Sequence, residues 1–235
     1  VKVRLRFAKL GKVRWTSHRD VARMWERAVR RVDLRLAYTE GFSPRPKVSF
    51  GLALPTGAES VAEFLDVELA DGVQPDVAAL PGRLSPAFPV GIDVLAATVV
   101  DERGSLQEIV TSCRWEIEAA GAGVDVAAIE QCVAQALAAE SLVVTRERKG
   151  QSATDDIRPA ILSLAVLPAG EGALLECELA TQGRGLRPAE LLRALDPRLE
   201  PGRVLRTHQW IQRDGAKWEP IPLPATAAPH AERAS

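Results

Sequence analysis

The chain has 235 residues, 46% of them hydrophobic, with 30 Lys and Arg against 31 Asp and Glu for a net charge of −1. This length fits one large domain or two small ones, each with a core, and the composition is that of an ordinary globular protein. No apolar run is long enough to span a bilayer, and the alternating charges of the first residues speak against a signal or transit peptide.

Cys113, Cys132 and Cys177 are scattered and odd in number, which argues against a disulfide framework. No Cys-x-x-Cys or Cys-x-x-x-Cys-x-x-Cys spacing offers an iron–sulfur cluster its usual ligands. The expectation is a cytoplasmic protein without a metal or cofactor of its own. The charge is strongly segregated: residues 1–50 contain fourteen Lys and Arg against four Asp and Glu, and the remainder sixteen against twenty-seven. Such a front-loaded positive field is a footprint for a polyanion.

In chain order, Lys2 to Lys9 alternates, with Val3, Leu5 and Phe7 on one side and Lys2, Arg4 and Arg6 on the other, the pattern of a half-buried strand. Thr16 and Ser17 are N-cap candidates for a helix running to about Val32. At roughly 100° per residue, Arg19, Arg23, Arg27, Arg30 and Arg31 fall within an arc of about 120°. Val21, Met24, Trp25, Ala28, Val29 and Val32 cover the opposite, core-facing side. Next comes Tyr38-Thr39-Glu40-Gly41-Phe42-Ser43-Pro44-Arg45-Pro46-Lys47. Gly41 allows a turn closed to other residues, and Pro44 and Pro46 stiffen a ribbon that presents Arg45 and Lys47.

Val48 to Leu54 and Glu63 to Leu69 read as strands, Gln74 to Leu84 as a short helix, and Ile92 to Val100 as a fourth strand. The order strand, helix, strand, strand, helix, strand is that of a ferredoxin-like module. A linker over about Asp101 to Thr111 follows. The order then recurs: strand Cys113 to Ala119, helix Asp125 to Ala139, strand Ser141 to Glu147, a hairpin of Ala160 to Leu167 with Leu174 to Ala180, helix Pro188 to Leu195, and strand Arg203 to Ile211. The fold class expected is α+β, with two tandem ferredoxin-like modules at 1–101 and 112–211, the second enlarged, and a flexible tail over 212–235.

Three groups of residues invite a chemical reading. Arg14, Arg19, Arg23, Arg27, Arg30, Arg45 and Lys47 make a basic surface suited to phosphates, since a guanidinium donates two parallel hydrogen bonds. Arg158 is a candidate second phosphate clamp. Trp15, Tyr38 and Phe42 either stack on unpaired bases or belong to the core. His18, in the first helical turn among these cations, is a candidate general acid/base for metal-free RNA cleavage, against the plainer reading of a locally bonded helix-start residue. Asp155 and Asp156 are adjacent, so in an extended chain they point apart and do not make a metal pair. No P-loop or dinucleotide fingerprint occurs.

The stretch Tyr38-Thr39-Glu40-Gly41-Phe42-Ser43-Pro44-Arg45-Pro46-Lys47-Val48-Ser49-Phe50, with Leu54-Pro55-Thr56-Gly57-Ala58-Glu59-Ser60 and Phe64-Leu65-Asp66-Val67, resembles the radical SAM-linked protein family. Leu5 to Gly11, Ser17 to Asp20, Asp156-Ile157-Arg158-Pro159 and Leu186-Arg187-Pro188 match it as well. Members resemble a domain fused to, or encoded beside, a radical S-adenosylmethionine protein, so the resemblance implies that partner and no activity. Together the residues and the resemblance point to a non-catalytic RNA- or tRNA-binding accessory of a radical SAM enzyme. The alternatives are an RNA endonuclease using His18 and a pure protein-interaction subunit.

Overall fold

The computed structural model describes every residue except 102–103, 149–150, 170–171, 184 and 223–235. The chain is α+β, built mainly of antiparallel strands with few helices, and it divides into two compact units. Val1–Val110 together with the chain from Gln209 onward make the first, and Thr111–His208 make the second.

The first unit contains β1 (Lys2–Lys9), α1 (His18–Arg31), β2 (Val48–Phe50), β3 (Glu59–Glu68), α2 (Leu80–Leu84), β4 (Ile92–Val99) and α3 (Leu106–Ile109). β1 lies between β4 and β3, and β2 pairs with β3 at Val48↔Val67. The apolar face of β1 sets the position of α1. Val3, Leu5 and Phe7 pack with Val21, Trp25, Ala28 and Val29 of the helix and with Leu80 and Leu84 of α2. Trp25 meets Phe7 and Phe88 edge-on, with ring centroids 5.2 and 4.7 Å apart. Ser17 caps α1, its Oγ accepting from the Asp20 N–H at 3.2 Å, which satisfies one of the helix's open donors.

The opposite face of β1 departs from the expected half-buried pattern. Arg4 and Arg6 are buried rather than solvated. Arg4 donates through Nε and Nη2 to the two carboxylate oxygens of Asp66 at 2.8 and 3.0 Å, its cross-strand neighbour in register. Arg6 donates through Nη1 to Glu219 and to the Ile221 carbonyl, both at 2.9 Å, and lies 5.5 Å over the Phe64 ring. Ala62, Phe64, Leu106 and Ile221 close an apolar cluster on this unit. Burying a guanidinium is tolerable only with such pairing.

Other segments also differ from the sequence reading; β2 stops at Phe50 and β3 already starts at Glu59. Pro81 stands at the start of α2. A proline fits only the first helical turn, so the helix opens at Leu80 instead of running from Gln74. Where a linker was expected, Ser105 and Glu108 form a capping box that starts α3, and Leu106 is buried. In place of a tail from Gln212, β10 (Leu199–Arg213) continues into β11 (Ala216–Trp218), paired Ile211↔Trp218, and Glu219 and Ile221 engage Arg6. The last thirteen positions, 223–235, lie outside the described residues.

The second unit contains β5 (Val110–Gly121), α4 (Val126–Ala138), the hairpin β6 (Val143–Arg148) and β7 (Gln151–Asp156), β8 (Ile161–Ala169), β9 (Gly172–Ala180), α5 (Pro188–Leu195) and the first part of β10. The strand order is β10-β5-β9-β8, with β6 and β7 forming a separate two-stranded sheet. β7 falls where the sequence reading has no element. Its six residues, Gln151-Ser152-Ala153-Thr154-Asp155-Asp156, carry little apolar signal. Asp125 caps α4 by accepting from the Ala128 N–H at 2.8 Å. Ile117, Leu175, Cys177 and Leu179 are fully buried, and burial pushes the Cys177 thiol up to about 12.

Replacing Arg4 by Met strands the Asp66 carboxylate in the interior. The expected loss is about 3–5 kcal/mol, read as a lowered urea midpoint, and R4M/D66L should regain most of it. A single substitution that left the midpoint in place would contradict the buried pair.

Candidate nucleic-acid interface

The candidate interface is built outward from α1. Because its apolar residues face the sheet, Arg19, Arg23, Arg27 and Arg30 project into solvent, and all four are exposed. Arg23 reaches Asp20 at 3.5 Å and Arg30 reaches Glu26 at 3.8 Å, each between well-exposed side chains. Such pairs are worth little in water and exchange readily for another anion. Among the described residues, Arg19 and Arg27 make no hydrogen bond or ion pair. The Asp20 carboxyl is held below its ordinary value, chiefly by the Ser17 hydroxyl, with the Arg23 and Arg19 charges adding to the effect. Arg31, by contrast, leans on the Ala87 carbonyl at 3.4 Å.

The ribbon is closed by its own backbone. Tyr38 bridges Pro46, the Thr39 N–H donates to the Arg45 carbonyl at 2.9 Å, and the Arg45 N–H donates to Thr39 Oγ1 at 3.0 Å. Gly41 sits at φ +120° with open space around a would-be Cβ, so its requirement is conformational and not steric. At the tip Phe42 is wholly exposed, and Tyr38 is half exposed. The Arg45 side chain is exposed and makes no hydrogen bond or ion pair among the described residues. Lys47 pairs with Glu68 at 3.0 Å across two exposed side chains.

Arg14 and Trp15 form a third element. The guanidinium lies 5.3 Å over the indole ring and reaches Glu59 at 3.4 Å. Glu59 also accepts the Gly11 N–H at 2.7 Å. Trp15 is 64% exposed, yet its ring passes so close to Gly57 (φ +90°) that a Cβ there would come within 2.8 Å. Trp15 and Phe42 therefore stand outside the core, on the solvent side of the choice that their sequence leaves open. His18 is exposed at the first residue of α1, its imidazole edge-on to Phe50 with centroids 5.1 Å apart.

Arg158 stands apart, in the second unit. Its Nη1 and Nη2 donate to the carbonyls of Ile161 and Leu137 at 3.2 and 3.0 Å, the latter in the last turn of α4, where a cation suits the helix dipole. Asp156 accepts from the N–H groups of Leu142 and Arg158 at 2.8 and 2.9 Å. These bonds hold its carboxyl below the usual range. The structure thus places Arg14, Arg19, Arg23, Arg27, Arg30, Arg45 and Lys47 in one unit and Arg158 in the other. Lys9, Glu63 and Phe50, which the sequence reading does not single out as site residues, line one cleft with His18. Lys9 is buried, and its Nζ donates to the carbonyls of Arg14 and Thr16 at 3.3 and 2.9 Å. Lys9 falls on the same side of the alternation as Val3, Leu5 and Phe7, and a charge on that apolar side is the signal that could have found it.

A family model described as an uncharacterized protein conserved in bacteria (DUF2344) matches residues 2–188. No curated protein matches. A chain in the crystal structure of a Cbf5-Nop10-Gar1 complex is similar at TM-score 0.51 and 10% identity, over 88% of this chain and 48% of that one. A chain in the structure of an H/ACA RNP bound to a substrate RNA containing 2'-deoxyuridine gives a TM-score of 0.47 and 9% identity, over 88% and 47%. The present chain spans about half the length of these chains, and at 10% identity the first likeness is one of fold alone.

The Asp156 bonds have an acid signature. A carboxyl whose folded value is lowered from 3.8 stabilises above that value and loses its contribution as pH falls below it. Hydrogen exchange should show the Leu142 and Arg158 amides losing protection in acid, and D156A should lose it at neutral pH. Full protection in D156A would refute this.

Proposed function

We propose that this chain, which belongs to the DUF2344 family of uncharacterized proteins conserved in bacteria, binds RNA through its first unit, as a non-catalytic accessory of a radical S-adenosylmethionine protein. The observation that carries the reading is the solvent face of α1. Four arginines there are exposed, two without any hydrogen bond or ion pair among the described residues and two in loose exposed pairs. From Arg19 to Arg30 the row covers roughly 16 Å at the helical rise, room for several phosphates of one strand. Arg14, Arg45 and Lys47 add charge in the same unit, while Trp15 and Phe42 offer exposed rings on which unpaired bases stack. The looped, partly single-stranded ligand that this favours is well represented by tRNA.

The partner rests on the resemblance of the Tyr38–Phe50 ribbon and the Leu54–Ser60 segment to radical SAM-linked proteins. In this reading the radical chemistry belongs to the partner, and the second unit, which holds more acidic than basic residues, serves as its docking body. The orders β4-β1-β3-β2 and β10-β5-β9-β8 support reading each unit as a ferredoxin-like module.

Titration of labelled tRNA at several salt concentrations tests the proposal. Affinity should fall as salt rises, with each neutralised phosphate contributing about −0.7 to the logarithmic slope for a single strand. R19E/R27E should weaken binding at least about tenfold and flatten the slope by about 1 to 2, with the circular dichroism spectrum unchanged. Equal affinity in the folded double variant would remove α1 from the interface.

A further inference from the structure

At the N-terminal end of the arginine row the first unit carries a cleft of about 340 Å³, counting its open mouth. Its walls include Phe7, Phe50, Phe64 and Leu54, and its polar groups are Lys9, Glu63 and His18. Glu63 is 7% exposed and Lys9 3% exposed, so two opposite charges line a hollow whose other walls are mostly aromatic and aliphatic. Lys9 fixes one wall by holding the carbonyls of Arg14 and Thr16. Phe50 and His18 present their rings edge to face. The residue after His18 is Arg19, where the row of cations begins.

We propose that this cleft receives the edge of one unpaired nucleobase, with guanine preferred, while the adjoining phosphates lie along α1. This rests on the RNA reading given above and adds the class of base to it. The reasoning follows from donor and acceptor chemistry. A carboxylate accepts hydrogen bonds through two oxygens and about four lone-pair sites, and so keeps acceptor capacity beside a protein partner. Guanine presents two adjacent donors on its Watson–Crick edge, the ring N–H and the exocyclic amino group, matching both oxygens of Glu63. Adenine and cytosine present one amino group, and uracil one ring N–H. Unpaired bases are read on such edges while their faces stack on aromatic side chains, which Phe50 and His18 supply. Most of the cleft's volume is the open mouth, which suits the edge of a planar ring held by a polymer and not a ligand engulfed on its own.

The experiment uses the full chain with four nucleosides and short oligonucleotides. Guanosine, adenosine, cytidine and uridine are titrated while the His18 and Phe50 ring resonances are followed. In parallel, oligouridylates carrying one central G or one central A compete for the protein. Guanosine should shift both rings, and the G-containing strand should bind about tenfold tighter than the A-containing one, the scale of one good bidentate contact. E63Q should erase the preference. Should E63Q fail to fold, Leu54→Trp, which plugs the cleft without touching its charges, should do the same and leave salt-dependent binding of the plain oligouridylate. Equal response to all four nucleosides, or an undiminished preference in Leu54→Trp, overturns the proposal. Salt-dependent binding of every strand without base preference would leave the phosphate row standing and the cleft refuted. Guanosine shifts without any oligonucleotide binding would do the reverse, and point to a free guanine nucleotide.

Discussion

Two-sided burial of β1 is the constraint from which the first unit follows. Its apolar side fixes α1 through the Phe7–Trp25 contact, and so decides which residues of that helix meet water. Its charged side is sealed by the Arg4–Asp66 pair and by Arg6, which reaches the Glu219 carboxylate and the Ile221 carbonyl near the far end of the chain. A buried guanidinium without such partners would be severely destabilising. The segment after β10 is therefore structural, because it completes the environment that lets Arg6 remain inside.

The same constraint sorts the cations. Arg4, Arg6 and Lys9 belong to the interior and hold strands and loops together. Several of those left outside lie on α1, the ribbon and the loop before the helix. Their loose pairing matters physically. An arginine itself buried with its carboxylate, as Arg4 is with Asp66, contributes nothing to a ligand, whereas one at 3.5 to 3.8 Å from an exposed carboxylate gives up little when it turns to a phosphate. Stiffness counts as well, since the ribbon's cross-bonds at Thr39 and Arg45 present Phe42 and Arg45 without a large ordering cost on binding.

Much of this was legible in the sequence, and the rest was hidden for identifiable reasons. α1 announced itself through helical spacing and its Ser17 cap, and the sides assigned to Trp25 and to Arg19, Arg23 and Arg27 are the sides they occupy. The alternation in β1 was read correctly as a strand. Yet alternating charge looks the same whether a face is solvated or filled by ion pairs, and Asp66 and Glu219 lie 62 and 213 residues from their arginines. Local pattern carries no such information. Trp15 and Phe42 were ambiguous because large aromatics usually enter cores, and only tertiary contacts such as the indole over Gly57 decide it. Arg158, chosen for charge alone, caps the carbonyls of its own unit. Lys9 and Glu63 escaped notice because their meaning arises only when strand ends and the α1 entry converge.

Ultraviolet crosslinking of bound tRNA, followed by peptide mapping, probes the central claim most directly. A strand laid along α1 should leave crosslinks on peptides carrying Trp15 and Phe42 and on others of the first unit. Crosslinks confined to Thr111–His208, or none from a complex shown to form, would contradict it.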